Sequence, residues 1–181
     1  MRYGEHKMND KLEFIKDELW IMAWAGSVQR AKLYKDNIDS SAKDLGKFRD
    51  SVIKFVTDNL ISQYFAGCTE EQHYENIKRL IVHANNVDPG ILNDLGYKYG
   101  VAQKLLNLAL KYHWCLGIIS APPHCPVDRI VISKTKYSGK INWTQITNRL
   151  DYQKVIEEIK VLARNSQLSI PEWELAIFNR R

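Results

Sequence analysis

Lys104 and Asp128 are the two residues whose types and spacing could do covalent chemistry. The chain around them reads Leu95-Gly96-Tyr97-Lys98-Tyr99-Gly100-Val101-Ala102-Gln103-Lys104, then a Leu-rich stretch to Trp114, a loop, and Pro126-Val127-Asp128-Arg129-Ile130. A glycine-bearing turn thus leads into a helix with a lysine in its first turns. A carboxylate follows at the start of the next element, 24 positions on. A lysine attacks carbon only when neutral, and burial beside Leu105, Leu108 and Tyr112 would lower its pKa. An amine freed in this way can attack a sugar C1′, and a carboxylate can steady the positive charge that develops there. The plainer alternatives are a solvated lysine on a polar helix face and an aspartate that caps a helix.

Charge points to the partner of such chemistry. Net charge is +5 over 181 residues. Residues 1–95 carry 13 Lys/Arg against 15 Asp/Glu, whereas residues 96–181 carry 13 against 6. The reactive segment therefore opens a basic half, an electrostatic footprint for a polyanion. Lys134, Lys136, Tyr137, Lys140 and Trp143 interleave cations with rings, a pattern suited to gripping phosphates and stacking on bases. Lys98 and Arg129 join the candidate phosphate contacts. Near the first helix, Trp20, Trp24, Gln29 and Arg30 fall together. Trp24 could wall a base drawn out of the stack, Gln29 could read its edge, and His124 could line the same pocket. His113, Cys115, His124 and Cys125 do not have the spacing of a structural zinc site, so no metal and no other cofactor is expected. Cys115 is expected to be packed.

The elements that must position these groups are helical. Apolar residues recur at helical spacing from Asp10 to Tyr34, with Phe14, Ile15, Leu19, Met22 and Ala23 on the stripe. Ser40-Ser41 is a cap for a helix over 42–64, whose stripe is Leu45, Phe48, Val52, Phe55, Val56 and Leu60. Gly67 ends it. Thr69 and Gln72 form a capping-box pattern for a helix to about Asn85. Asp88-Pro89 predicts a short helix stopping near Gly96. The helix from Tyr99 to Trp114 has Val101, Leu105, Leu108, Ala109 and Tyr112 on one face and Gly100, Lys104, Asn107 and Lys111 on a polar stripe. Pro122-Pro123 and Pro126 break the chain into a loop. Residues 127–132 are a short helix or an extended piece, and 137–140 a turn. Helices follow over 148–165, with Val155, Ile159 and Leu162 inward, and from Ser169. Strand signals are almost absent, so the fold class is all-α, in one unit over 1–181 or two lobes, 1–95 and 96–181, flanking a central cleft. No apolar run approaches the roughly 20 residues of a membrane span. Three cysteines without framework spacing and an N-terminus without an apolar leader suit the cytoplasm.

Residues Leu95 to Ile132 resemble the helix-hairpin-helix superfamily of DNA glycosylases, most closely its archaeal 8-oxoguanine type. Gln103 to Tyr112 looks like that family's lysine helix, and Pro126-Val127-Asp128-Arg129-Ile130 like its aspartate motif. The resemblance implies Lys104 as nucleophile and Asp128 as its partner, with a hairpin whose amides hold a phosphate. The family's Gly-hydrophobic-Gly hairpin is here Gly96-Tyr97-Lys98-Tyr99-Gly100, and the cysteines of its iron–sulfur branch are missing. The implied protein is a monomer that bends double-stranded DNA and flips out one nucleotide. It excises a damaged or modified base, with strand nicking where a Schiff base forms. Modified bases of phage DNA are one substrate class. A non-catalytic helical DNA-binding or regulatory protein is the alternative, and a zinc-dependent or toxin-like nuclease a third.

Overall fold

The computed structural model describes residues 2–36 and 42–178. It contains seven α-helices among these residues: α1 (Arg2–Val28), α2 (Ala42–Asn59), α3 (Glu70–Val87), α4 (Tyr99–Cys115), α5 (Arg129–Ser133), α6 (Arg149–Asn165) and α7 (Ile170–Ile177). Two 3-10 turns, Ile61–Tyr64 and Trp143–Gln145, complete the regular structure. The only β pairing among the described residues is a single bridge between Tyr34 and Leu92.

Local chemistry sets the helix ends. Thr69 caps α3 by accepting the Gln72 N–H at 3.2 Å. The reciprocal half of the expected capping box is missing, because the Gln72 amide turns instead to Gln63 and Asn76. Asn148 caps α6 by accepting the Asp151 N–H at 2.9 Å. The Glu172 carboxylate accepts the Ser169 N–H at the start of α7. Caps of this kind each stabilise a helix by about 1 kcal/mol. The expected Ser40-Ser41 cap lies outside the described residues.

The fold organises around α4. Twelve of its 17 residues are buried, and α1, α3 and α6 pack against it. Gly26 lets α1 approach closely, since a Cβ there would stand 3.0 Å from Leu108 Cδ1. Leu105, Leu106 and Leu110 are fully enclosed, and each contributes roughly 1.5–3 kcal/mol by leaving water. The polar stripe is largely inside: Gly100, Asn107 and Lys111 are buried. Asn107 and Lys111 each donate to a partner on another element. Asn107 Nδ2 donates to Tyr152 Oη of α6 at 3.0 Å. Lys111 Nζ donates to Glu174 Oε1 of α7 at 3.0 Å, with the Phe178 ring 3.9 Å away. One apolar core runs from Ala23 to Trp173 through both halves of the chain.

Several expectations change. Helix α1 stops at Val28, short of Tyr34, because the chain turns to set Tyr34 against Leu92. Phe14 and Ile15 of its apolar stripe are exposed, at 62% and 41%. Helix α2 ends at Asn59, and a 3-10 turn carries the chain to Tyr64. Asp88 to Gly96 forms turns and no helix. There the Asp88 side chain accepts the Gly90 N–H and the Asn93 side chain accepts the Leu95 N–H. Side-chain acceptors of this kind compete with helical bonding.

Candidate active site

The entry to α4 is held from two sides. Gly96 has φ +61, a left-handed conformation that glycine adopts without strain. The Asn85 side chain of α3 accepts the Tyr97 N–H at 2.8 Å. Gly100 donates its N–H to the Ile146 carbonyl at 2.8 Å. A Cβ on Gly100 would overlap the Trp143 carbonyl, so only glycine lets the turn Trp143–Gln145 dock on the first turn of α4. This docking puts the Trp143 ring under Lys104, with Nζ 4.0 Å from the ring centroid.

Lys104 is partly covered, and burial pushes its amine below the usual lysine range. Asp128 opposes that shift and Arg30 reinforces it, so each of these charges lies within electrostatic reach of the amine. Lys104 and Asp128 are not an ion pair, since the pairs within 4.0 Å among the described residues do not include them. Asp128 caps α5: Oδ1 accepts the N–H groups of Ile130 and Val131 at 2.8 and 3.0 Å. Its second oxygen makes no hydrogen bond among those found for the described residues.

The segment before Asp128 is fixed by Gln103. Its Nε2 donates to the Val127 carbonyl at 2.8 Å, and its Oε1 accepts the Val127 N–H at 3.1 Å. Behind it runs a buried polar chain. Asn107 Nδ2 lies 3.3 Å from Gln103 Oε1 and also donates to Tyr152 Oη. Tyr152 Oη meets His124 Nδ1 at 3.0 Å, and His124 Nε2 meets Glu70 Oε1 at 2.9 Å. Burial holds His124 below its ordinary pKa. The ring is therefore neutral, accepts from Tyr152 and donates to Glu70. That bond, with Lys160 at 2.7 Å, lowers the Glu70 pKa to about 2.

Beside this group lies a cleft of about 580 Å³. Arg30 from the end of α1, Arg129 from the start of α5 and Lys140 from the following turn line it, together with Ile132, Ile141 and Trp143. All three cations are exposed.

The candidate residues divide accordingly. Lys104 and Asp128 lie within electrostatic reach of each other but beyond ion-pair distance, and neither lines the cleft, whereas Arg129 and Lys140 do. Lys134 is exposed just after α5 but outside the lining. Lys136 is exposed and paired to Glu158 at 2.7 Å. Lys98 is the N-cap residue of α4 and is only 8% exposed, so it is not an open phosphate contact. Trp24 is no base wall: it is buried in the core, edge-on to Phe48. Gln29 is exposed and not part of the cleft lining. His124 is enclosed in the polar chain and does not line the cleft either. Cys115, expected to be packed, is exposed. Sequence reasoning missed Gln103 and the Glu70–His124–Tyr152 chain. The signal available was a set of amide side chains on an otherwise apolar helix, which only a buried helix needs to satisfy.

No protein-family model, no curated protein and no solved structure matches the chain. No helix among the described residues is long and apolar enough to cross a membrane. No three His, Cys, Asp or Glu side chains among them group so as to hold a metal ion.

Proposed function

We propose that the protein is a DNA glycosylase that excises a damaged or modified base through Lys104, with Asp128 as its acid–base partner. One observation carries this reading. A partly buried amine with a depressed pKa, charge-coupled to a carboxylate, sits beside a basic cleft large enough for a nucleotide.

The chemistry follows from the two groups. Asp128, through its oxygen not engaged in capping α5, takes a proton from the Lys104 ammonium. The Lys104 lone pair forms a bond to C1′ of an extruded nucleotide. The glycosidic C–N bond breaks, its electron pair leaves with the base, and the base takes up the proton held by Asp128. A proton then passes from the new secondary ammonium to O4′ as the C1′–O4′ bond breaks, and a protonated imine remains between Lys104 and C1′. Loss of a C2′ proton from that imine expels the 3′ phosphate by β-elimination, so strand nicking belongs to the same reading.

The test is reductive trapping. Borohydride added to the protein with DNA carrying an abasic aldehyde is expected to give a covalent adduct, and Lys104→Gln to give none. Normal affinity for DNA with no adduct and no released base, on any modified substrate tried, overturns the enzyme. That result would leave the helical DNA-binding module, which the same exposed cations would serve.

A further inference from the structure

The hairpin before α4 turns most of its polar groups inward. Gly96 donates its N–H to the Asn93 carbonyl, Tyr97 to Asn85 Oδ1, and Gly100 to Ile146. Tyr97, Lys98 and Tyr99 are all buried. The turn that carries Trp143 covers Gly100. Three amides of this hairpin are therefore already used inside the fold, and its side chains do not reach the surface.

The cleft is the opposite case. Arg30, Arg129 and Lys140 come from three separate elements and converge on one space. No carboxylate lies within 4.0 Å of any of them among the described residues. Elsewhere on the surface, Lys47, Arg49, Lys54, Lys136, Arg149 and Lys154 each hold a carboxylate, while Lys134 and Arg164 stand singly without one among the described residues. Three like charges kept together without a partner repel one another, and an anion seated between them removes that cost. The walls are mixed: Ser138 and Thr144 offer hydroxyls, and Ile132 and Ile141 offer apolar surface. A sugar–phosphate unit has this same mixture of faces.

We propose that this cleft is the strand anchor: Arg30, Arg129 and Lys140 grip phosphodiester oxygens of a DNA strand, and the hairpin before α4 takes no part. Trp143 is part of the cleft lining, and its ring carries Lys104, which stands behind that wall. A phosphate held by Arg30 and Arg129 therefore flanks the nucleotide whose C1′ Lys104 reaches. The choice of strand as ligand rests on the glycosylase reading; the anion site itself rests on the convergence of the three cations.

Binding without chemistry separates the two. The probe is a fluorescent duplex with a tetrahydrofuran abasic analogue, which has no aldehyde and cannot form an imine. The triple variant Arg30→Gln/Arg129→Gln/Lys140→Gln is expected to bind it at least about tenfold more weakly. The slope of log Kd against log salt should fall by roughly 2 to 3, since each phosphate contact contributes about 0.9. Lys98→Gln in the hairpin and Lys54→Gln on α2 should keep the wild-type slope. All three cleft side chains are exposed, so an unchanged melting temperature is expected and excludes misfolding.

An unchanged slope in the triple variant overturns the anchor, as does an equal loss in Lys98→Gln. Inorganic phosphate or thymidine monophosphate is then added at matched ionic strength. If either displaces the duplex at low millimolar concentration, the cleft is a small-anion site and the strand assignment falls. Cleft-dependent binding with no borohydride adduct and no released base leaves the anchor standing and removes the glycosylase. An adduct with an unaltered salt slope does the reverse.

Discussion

The side chain of Gln103 pairs with the backbone of Val127 as a neighbouring strand would, donating to its carbonyl at 2.8 Å and accepting its N–H at 3.1 Å. Lys104 and Asp128 are the next residues along each segment. The reach between amine and carboxylate is therefore set by a buried amide clamp, with no direct bond between the two charges. The clamp is in turn braced by Asn107 and Tyr152.

Removing the clamp is expected to cost both stability and chemistry. Gln103→Met keeps the volume but leaves a buried N–H and carbonyl of Val127 unbonded. Each such group costs about 1–3 kcal/mol, so urea unfolding should show a loss of roughly 2–5 kcal/mol. The rate of adduct formation should fall further than affinity for the tetrahydrofuran duplex. A loss under about 0.5 kcal/mol, the range of neutral surface changes, would show the clamp to be idle.

Lys104 should titrate below an ordinary lysine. Burial and Arg30 depress its pKa, and Asp128 only partly restores it. The single-turnover rate of adduct formation should therefore rise with pH and level off below about 10.4, the value of a free lysine. Arg30→Gln removes a like charge and should move the midpoint upward. Lys104→Met should fold at least as stably as the parent, because a partly desolvated ammonium is removed. A midpoint at or above 10.4 would contradict the assignment.

Gly100→Ala should destabilise, against the usual trend. In an open helix this change gains about 1 kcal/mol. Here the added methyl meets the Trp143 carbonyl, so the turn that carries Trp143 must lift away from α4. Thermal unfolding should show a lower melting temperature, and the Trp143 fluorescence should move to the red as its ring gains water. A rise in melting temperature would mean that the turn adapts without loss.

Acid should weaken the fold in two stages. His73 and His124 are buried and held neutral, with pKa values pushed below the ordinary one. Bases depressed in the fold bind protons more readily once unfolded, so stability falls as pH drops below about 6.5. Glu70, held near 2 by the His124 bond and Lys160, adds stability above about 4.3 that is lost between there and about 2. Melting temperatures from pH 8 to 3 should fall along this course. Glu70→Gln should flatten the lower stage, and an identical curve in that variant would remove Glu70 from the account.

The sequence alone determined the local structure wherever its chemistry is local. The stripe through Phe48, Val52 and Val56 is buried along α2, and Leu60 just beyond its end is buried too. Thr69, Asn148 and Ser169 stand at the starts of α3, α6 and α7, because caps act over three or four residues. The basic excess of the second half is likewise a property of composition. Tertiary structure decided what surrounds each face. Periodicity groups Gly100, Lys104, Asn107 and Lys111 on one stripe of α4, but it does not say whether other elements cover that stripe. The partners of Gly100, Asn107 and Lys111, at Ile146, Tyr152 and Glu174, lie 46, 45 and 63 residues away. The same holds for Trp24, whose place against Phe48 in the core depends on how α1 and α2 cross. It holds also for Arg30 and Arg129, brought to one cleft from residues 99 apart. Contacts of such separation are selected by the packing of whole helices, a sum over many side chains that no single segment encodes.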